Sequence, residues 1–138
     1  EPISLTAGES VAIVRFLMEE NPTPEIVAAV EAAVRWFEAN KLIGIRWERK
    51  NGVKVVVKDK TAPPIWARFY QIETMKPIFI GRDAVIKYSV SEIEAERRNG
   101  YARYVSGPAD LLSKDYPKWK AKIGAIGFHK LPLALASG

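Results

Sequence analysis

Residues 66–88 constrain the fold of this chain most, because aromatic and β-branched side chains are dense there and favour extended strands. Gly81 stands directly before Arg82 and Asp83, so the backbone can turn at this point and present both charges together. Further cations interrupt the apolar stretch at Arg68, Lys76 and Lys87. We therefore interpret residues 66–88 as the floor of a cationic binding groove with helical segments on both sides.

A first helix is predicted near the N-terminus, with Thr6 or Ser10 as its cap. Glu9 follows Thr6 by three residues, which fits a capping box. Apolar residues then recur at helical spacing, at Val11, Val14, Leu17 and Met18. Ile13 and Phe16 widen this apolar arc, so we expect the helix to be mostly buried.

A second helix is predicted from about residue 24 to residue 40, with Thr23 as N-cap and Pro24 as its first residue. Its apolar stripe consists of Ile26, Val30, Ala33, Val34 and Phe37. Glu31 and Arg35 are four residues apart, and we expect them to pair on the outer face. The two helices together predict an antiparallel helical hairpin.

A β-hairpin is predicted next, because residues 43–49 and 53–58 alternate in part around Asn51 and Gly52. Four lysines give this hairpin a basic edge, namely Lys50, Lys54, Lys58 and Lys60. Such an edge is more typical of a strand protected from aggregation than of a binding surface.

Short helices are predicted after the central stretch. Ser89 or Ser91 caps one of them over residues 91–98, and Asn99 and Gly100 end it. Cations favour the end of a helix, which explains Arg97 and Arg98 without a function. Two more helices are predicted to open at Gly107–Pro108 and at Tyr116–Pro117.

The fold class predicted from these elements is α+β and mainly helical. It combines an antiparallel helix pair, a small antiparallel sheet and short C-terminal helices. We expect one domain over residues 1–123 and a weakly patterned tail over residues 124–138.

Composition limits the possible partners. The 138 residues include 21 Lys and Arg against 16 Asp and Glu, which gives a formal net charge of +5. This sign favours an acidic partner such as a polyuronate, a nucleic acid or an anionic membrane surface. The chain has no cysteine, which excludes disulfides and thiolate metal sites. No apolar run approaches membrane-spanning length, so we expect no membrane partner.

The usual catalytic patterns are weak. There is no Gly-rich phosphate loop and no zinc pattern. Ser10 and Ser106 have no histidine nearby in sequence, and His129 is more typical of a surface residue than of a ligand. Glu94 and Glu96 could form an acid/base pair of the glycosidase kind, but they lie on a helix that is predicted to be solvated.

Several separated motifs follow one another along the chain, at residues 8–18 (GESVAIVRFLM), 66–70 (WARFY), 76–79 (KPIF), 81–83 (GRD) and 93–101 (IEAERRNGY). Together they resemble polysaccharide lyase family 10, the pectate lyases, over roughly residues 3–122. The family's catalytic domain is longer, and this chain resembles its C-terminal half. The resemblance implies the C-terminal part of the family's helical toroid, and a secreted or periplasmic location, although the sequence contains no signal peptide.

The resemblance also implies β-elimination on polygalacturonate. A base removes the proton at C5 of a galacturonate, and calcium and guanidinium groups stabilise the charge that spreads onto the carboxylate. Families of this type use an arginine as base although a guanidinium is almost always protonated. Arg15 is the candidate base, and a solvated surface role is its equal alternative by sequence alone. Arg68 and Arg82 are candidates for bidentate binding of carboxylates. Weaker substrate-binding candidates are Tyr70, Lys76 and Lys87.

Structural alternatives remain open for these residues. Arg68 could pair with Glu73, and Arg82 could lie at a helix C-terminus. Asp83 is expected to orient Arg82, or else to help to hold calcium. Trp66 could be core or a platform for a sugar. Because the family's calcium-binding acidic residues belong mainly to the missing half, we expect any calcium to be bridged by the substrate with Asp83 at most.

The sequence thus predicts a pectate lyase that cleaves polygalacturonate by β-elimination. An alternative is a non-catalytic polyuronate-binding domain left from a truncated lyase. A third and weaker alternative is a basic nucleic-acid-binding module, for which no recognised motif is present. The oligomeric state is left open.

Overall fold

The computed structural model describes residues 4–127 of the chain. Its strands are β1 (Ser4–Thr6), β2 (Ile45–Lys50), β3 (Val53–Lys58), β4 (Trp66–Ala67), β5 (Phe69–Gln71), β6 (Pro77–Ile80), β7 (Ile86–Lys87) and β8 (Tyr104–Val105). Its α-helices are α1 (Ala7–Glu19), α2 (Pro24–Asn40), α3 (Ala95–Gly100), α4 (Gly107–Asp110) and α5 (Tyr116–Ala125). A 3₁₀ turn (Val90–Glu92) precedes α3, and a π-helical turn (Leu111–Asp115) joins α4 to α5.

All strand pairs are antiparallel, as the predicted α+β class requires. Strands β1, β5, β6 and β7 form one sheet in that order, β2 pairs with β3, and β4 pairs with β8. The stretch that was predicted to be extended supplies four of these strands. Because β5 lies between β1 and β6, the start of α1 is held beside the central stretch.

Helices α1 and α2 pack against each other through the faces that contain Ala7, Val11, Val14 and Met18 on α1 and Val27, Val30, Val34 and Phe37 on α2. The predicted start of α2 is confirmed, since Thr23 Oγ1 accepts a hydrogen bond from Ile26 N at 3.2 Å and Pro24 is the first helical residue. The prediction of a capping box on α1 is wrong, because the Thr6 side chain forms no capping hydrogen bond. The Ser10 hydroxyl instead donates to the Thr6 carbonyl at 2.5 Å.

The expectation that α1 is mostly buried is wrong for two residues. Ile13 is 61% exposed and Phe16 is 60% exposed. Each residue of an α-helix advances by about 100°, so neither residue falls on the stripe that faces α2. Helix α1 therefore has one buried face and one exposed face that carries two large apolar side chains.

The predicted outer pair of Glu31 and Arg35 is also wrong. Glu31 is directed to the C-terminal helix, where its carboxylate accepts hydrogen bonds from Tyr116 Oη at 2.6 Å and from Lys120 Nζ at 2.7 Å. The Glu31 side chain is 15% exposed, and Arg35 lies on the exposed side of α2. Burial and the bond to Glu31 raise the pKa of Tyr116. The contact ties α5 to α2.

The β-hairpin is confirmed. Asn51 and Gly52 have φ values of 51° and 81°, the left-handed conformations that a two-residue hairpin turn requires. The basic edge is partly covered, because the Asn99 side chain accepts from Lys54 N and donates to the Gly52 carbonyl, both at 2.8 Å. These bonds fix α3 against β3.

The C-terminal helices differ in their boundaries from the prediction. The 3₁₀ turn is capped by Ser89, with Glu92 completing a capping box, and α3 begins only after Glu94. Helix α4, the π-helical turn and α5 run on without a break. Pro117 cannot donate to the preceding turn, and the wide turn directly before it lets the helix continue past this residue. The division into residues 1–123 and a tail stays a prediction, and His129 lies outside the described residues.

The core lies where α2 meets β4 and β5. Trp66 is fully buried, and its Nε1 donates to the Phe37 carbonyl at 2.9 Å. The rings of Phe37 and Trp66 meet edge to face with centroids 6.4 Å apart. Since Arg68 follows β4 directly, this rigid core determines where the first groove candidate lies. No helix within residues 4–127 is long and apolar enough to cross a membrane.

Candidate functional site

Arg68 lies at a cavity of about 450 Å³ between the strand ends of the central stretch and the segment that follows α3. The cavity is lined by Arg68, Phe69, Ile80, Gly81, Ala84, Ile86, Arg97, Tyr101 and Arg103. The lining includes three guanidinium groups and, within residues 4–127, no carboxylate side chain. We call it the guanidinium cavity. Its composition suits a ligand with several negative charges and a carbon-rich surface.

Arg68 is predicted from sequence and lies in this cavity with a third of its side chain exposed (33%). Its Nη2 donates to Glu9 Oε1 at 3.2 Å, so its acidic neighbour comes from α1 and not from Glu73 as the sequence alternative suggested. The guanidinium carbon lies 4.9 Å from the centroid of the Phe69 ring. The exposed Glu9 (53%) leaves much of the guanidinium free to bind a ligand carboxylate.

Arg97, Tyr101 and Arg103 are parts of the cavity that the sequence analysis missed. The guanidinium carbons of Arg97 and Arg103 lie 5.0 Å and 5.3 Å from the centroid of the Tyr101 ring. Arg103 is only 7% exposed, and its Nε donates to the Arg97 carbonyl at 3.1 Å. The spacing of two arginines around one tyrosine at residues 97, 101 and 103 was the available signal, but the position of Arg97 at a helix end already explained it.

Burial lowers the pKa of Arg103, and the neighbouring charges of Arg97 and Arg68 lower it further. Burial removes the solvation of the Arg103 charge and the two like charges repel it, while Tyr101 and Glu94 offset these effects only in part. Positive charges therefore repel one another in this cavity, and an anionic ligand would reduce that repulsion.

Arg82 lies beside the cavity and not inside it. Its Nε forms an ion pair with Glu96, and its backbone N–H donates to the Glu94 carboxylate. Glu96 raises the pKa of Arg82, which is 61% exposed. A side chain at position 81 would overlap the present position of the Glu94 carboxylate, so Gly81 allows this carboxylate to lie against the turn. Glu96 thus occupies the Nε of Arg82, while the rest of this exposed guanidinium can still reach a ligand outside the cavity.

Asp83 was expected to orient Arg82, but its carboxylate pairs with Lys87 instead. Its carboxylate accepts from Lys87 Nζ at 2.7 Å and from Val85 N at 3.1 Å, and the Lys87 bond lowers the pKa of Asp83. Lys76 is exposed, with its Nζ 5.7 Å from the centroid of the Tyr88 ring. Neither Lys76 nor Lys87 lines the guanidinium cavity.

Two aromatic candidates belong to the core. Tyr70 is 1% exposed, donates through its hydroxyl to the Asn40 carbonyl at 3.0 Å and accepts from Ala67 N at 3.0 Å. Burial raises the pKa of Tyr70 to about 12. Its predicted role in substrate binding is therefore wrong, and Trp66 is core and not a sugar platform.

Arg15, the candidate base, lies elsewhere. Its Nε donates to Asp115 Oδ2 at 2.8 Å, and its side chain is 46% exposed. It lines a separate cavity of about 410 Å³ with Met18, Glu19, Asp115, Lys118, Trp119 and Lys122. This cavity shares no lining residue with the guanidinium cavity. The structure thus does not bring Arg15 and Arg68 into one pocket.

The described residues show no preformed cluster of acidic side chains for calcium. Within residues 4–127 there is no group of three or more Asp, Glu or His side chains that could hold a metal ion. Asp83, the one suggested ligand, is already bound by Lys87. Calcium sites usually include several carboxylates among six to eight oxygen ligands, and the described residues show no such group of carboxylates.

The sequence profile of the pectic acid lyase family matches residues 1–112. Two similar solved structures are of family 10 polysaccharide lyase from Cellvibrio cellulosa. One is a mutant in complex with trigalacturonic acid; it is 27% identical with a TM-score of 0.73, over 91% of this chain and 37% of its own. The other is 29% identical with a TM-score of 0.74, over 88% of this chain and 36% of its own.

This chain therefore spans little more than a third of the length of these two structures. No curated protein has a significantly similar sequence.

Proposed function

Because the chain belongs to the pectic acid lyase family, we propose that it acts on polygalacturonate and cleaves it by β-elimination, as a pectate lyase. We propose with it that the fold corresponds to the C-terminal part of the family's toroid, and that the protein is secreted or periplasmic. The similar structure that contains trigalacturonic acid supports a galacturonate oligomer as ligand.

The observation that carries the proposal is the guanidinium cavity. Its three arginines suit the carboxylates of a polyuronate, because a planar guanidinium binds a carboxylate through two parallel hydrogen bonds. Phe69, Ile80 and Ile86 add apolar surface for the carbon-rich face of a sugar ring. In this proposal Arg68 binds one uronate carboxylate directly. Arg82, Lys76 and Lys87 attract the rest of the anionic chain from outside the cavity.

In the elimination itself the C5–H bond breaks and its electron pair forms the C4–C5 double bond. The C4–O bond breaks, and its electron pair stays on the leaving oxygen, which takes up a proton from water. The C5 proton passes to a base, for which Arg15 is our candidate. Arg68 would stabilise the charge that develops on the uronate carboxylate at C5. For Arg15 to take part, its ion pair with Asp115 must open and the substrate must reach both cavities.

A second candidate function is polyuronate binding without catalysis. It is favoured by one specific observation, namely that Arg15 and Arg68 line separate cavities. Nucleic-acid binding ranks below both, because it rests on net charge alone.

The described residues show no group of acidic side chains that could hold calcium without the substrate. Our proposal is that any calcium is held mainly by the substrate's carboxylates, with Asp83 as the most that this part of the chain contributes.

Ultraviolet absorbance during incubation with polygalacturonate tests the two candidates. Elimination leaves an unsaturated uronide whose conjugated double bond absorbs, whereas hydrolysis or simple binding does not. A steady rise in absorbance supports the lyase. Binding without any rise supports the binding domain, and absence of both overturns the proposal.

A further inference from the structure

Arg103 is the one charged residue within residues 4–127 that is buried, at 7% exposure. No Asp or Glu of that part of the chain lies within ion-pair distance of its guanidinium. A buried charge is strongly unfavourable unless it is paired. The fold therefore holds a cation at a position where it lacks a counter-charge.

The surroundings of Arg103 add positive charge instead of removing it. Arg97 provides the carbonyl that accepts from Arg103 Nε, and its own guanidinium lies over the same Tyr101 ring. Arg68 lines the same cavity. A structural role alone would not need three guanidinium groups at one opening, since an apolar residue would fill the position of Arg103 at lower cost.

We propose that Arg97, Tyr101 and Arg103 form a second carboxylate-binding site next to Arg68, which takes a second uronate of the same ligand chain. This inference rests on the proposed binding of polygalacturonate. The second uronate carboxylate supplies the counter-charge that Arg103 lacks. Tyr101 is a positioning residue, because its ring lies against both guanidiniums and restricts their orientation.

Affinity for trigalacturonate and for the galacturonate monomer, measured by calorimetry, tests the site. The variants are Arg103→Met, which keeps the length of the side chain without its charge, and Arg103→Lys, which keeps the charge without the planar fork. Arg35→Met, on the exposed side of α2, is the matched control for loss of one positive charge. The thermal midpoint of each ligand-free protein is measured in parallel.

We expect Arg103→Met to bind trigalacturonate about tenfold or more weakly, as loss of a charge-assisted hydrogen bond predicts. Arg103→Lys should be intermediate. Monomer binding should change little, because one uronate can occupy the Arg68 position. The ligand-free midpoint of Arg103→Met should be equal to or higher than that of the wild type, because the variant removes an unpaired buried charge.

Unchanged trigalacturonate affinity in Arg103→Met, or a loss equal to that of Arg35→Met, would overturn the second site. A lowered ligand-free midpoint would also overturn it, because it would assign Arg103 a structural role. In either case binding by the wild type would leave the proposed function intact. If the wild type itself binds no galacturonate oligomer, the proposed function fails and the second site fails with it.

Discussion

The Arg15 guanidinium donates to the Asp115 carboxylate at 2.8 Å, across 100 residues of sequence. The pair joins α1 to the π-helical turn of the C-terminal helix. Asp115 is 38% exposed, so the ion pair lies at the surface and contributes little to stability. Its importance is that it determines where the candidate base lies.

Arg15→Ala should lower the rate of unsaturated product formation by about 10²–10⁴-fold, the usual contribution of a general base. Affinity for polygalacturonate should change little, because proton transfer is an interaction of the transition state. Arg15→Lys should recover little activity, since an ammonium group lacks the guanidinium geometry. Initial rates and binding isotherms on the same preparation measure both effects.

Asp115→Asn is the companion variant, because it removes the carboxylate that pairs with Arg15 and leaves the guanidinium in place. Since the pair must open before Arg15 can act, this variant should not lower the rate of product formation. If Arg15→Ala keeps turnover close to that of the wild type, Arg15 is structural and the base lies elsewhere.

Arg68→Ala should weaken polygalacturonate binding by about tenfold or more, because a guanidinium–carboxylate bond is lost. Arg82→Ala should have a smaller effect, since Arg82 is paired with Glu96 and lies outside the cavity. Added salt should weaken binding to the wild type by screening exposed charges. Isotherms at two salt concentrations measure these effects, with far-ultraviolet circular dichroism as the check on folding. Unchanged affinity in both variants would remove these residues from the site.

Calcium should bind the free protein weakly, because its described residues gather no carboxylate cluster. It should raise product formation only when polygalacturonate is present. Calorimetry without substrate and rate measurements in calcium or in excess chelator test these two statements. Tight binding by the free protein would show a preformed site, and full activity in chelator would show that guanidinium charge alone is sufficient.

Asp59 should make the hairpin region sensitive to acid. Hydrogen bonds from the Thr61 hydroxyl and backbone N–H, and then from Arg46, lower the pKa of Asp59. A carboxyl whose pKa is lowered by folding stabilises the fold above its unfolded value of about 3.9, and this stabilisation is lost as the pH falls through the folded value. The thermal midpoint of Asp59→Asn should therefore lie below that of the wild type at pH 7.

The difference between Asp59→Asn and the wild type should become smaller as the pH falls below about 4, because the unfolded carboxyl is protonated first and the folded carboxyl only at lower pH. Thermal midpoints of both proteins between neutral pH and pH 3 provide the measurement. A difference that stays constant over this range would show that the charge of Asp59 does not matter.

Sequence predicted the parts of the fold that depend on neighbouring residues. Thr23 and Pro24 mark the start of α2, and Asn51 and Gly52 mark the hairpin turn. Caps and turns are decided within a few positions of the chain, so their signals are readable without the tertiary structure.

Contacts between distant segments decided the rest. Ile13 and Val14 are neighbouring apolar residues, and only the position of α2 makes one exposed and the other buried. Tyr70 became core because its hydroxyl reaches the carbonyl of Asn40, 30 residues away. Neither outcome can be derived from local pattern.

The sequence predicted one part of the candidate site and missed another. Arg68 was singled out by its place in an extended apolar stretch, and the cavity beside it is present. Arg103 was not found, because its burial depends on how the segment after α3 folds back toward Arg68. The spacing of residues 97, 101 and 103 was a signal, but spacing in the sequence does not show which side chain becomes buried.

The π-helical turn changes which residues of the C-terminal helix lie on the same side, because it contains more residues than a regular turn. Leu111 and Trp119 are eight residues apart, which places side chains about 80° apart around a regular α-helix. The wide turn takes up one extra residue and so brings them closer to the same side, and both are buried, at 0% and 4% exposure. A homologue one residue shorter here could thus keep the same core with an uninterrupted α-helix. In an alignment of such homologues, the single gap would fall inside a helix instead of in a loop.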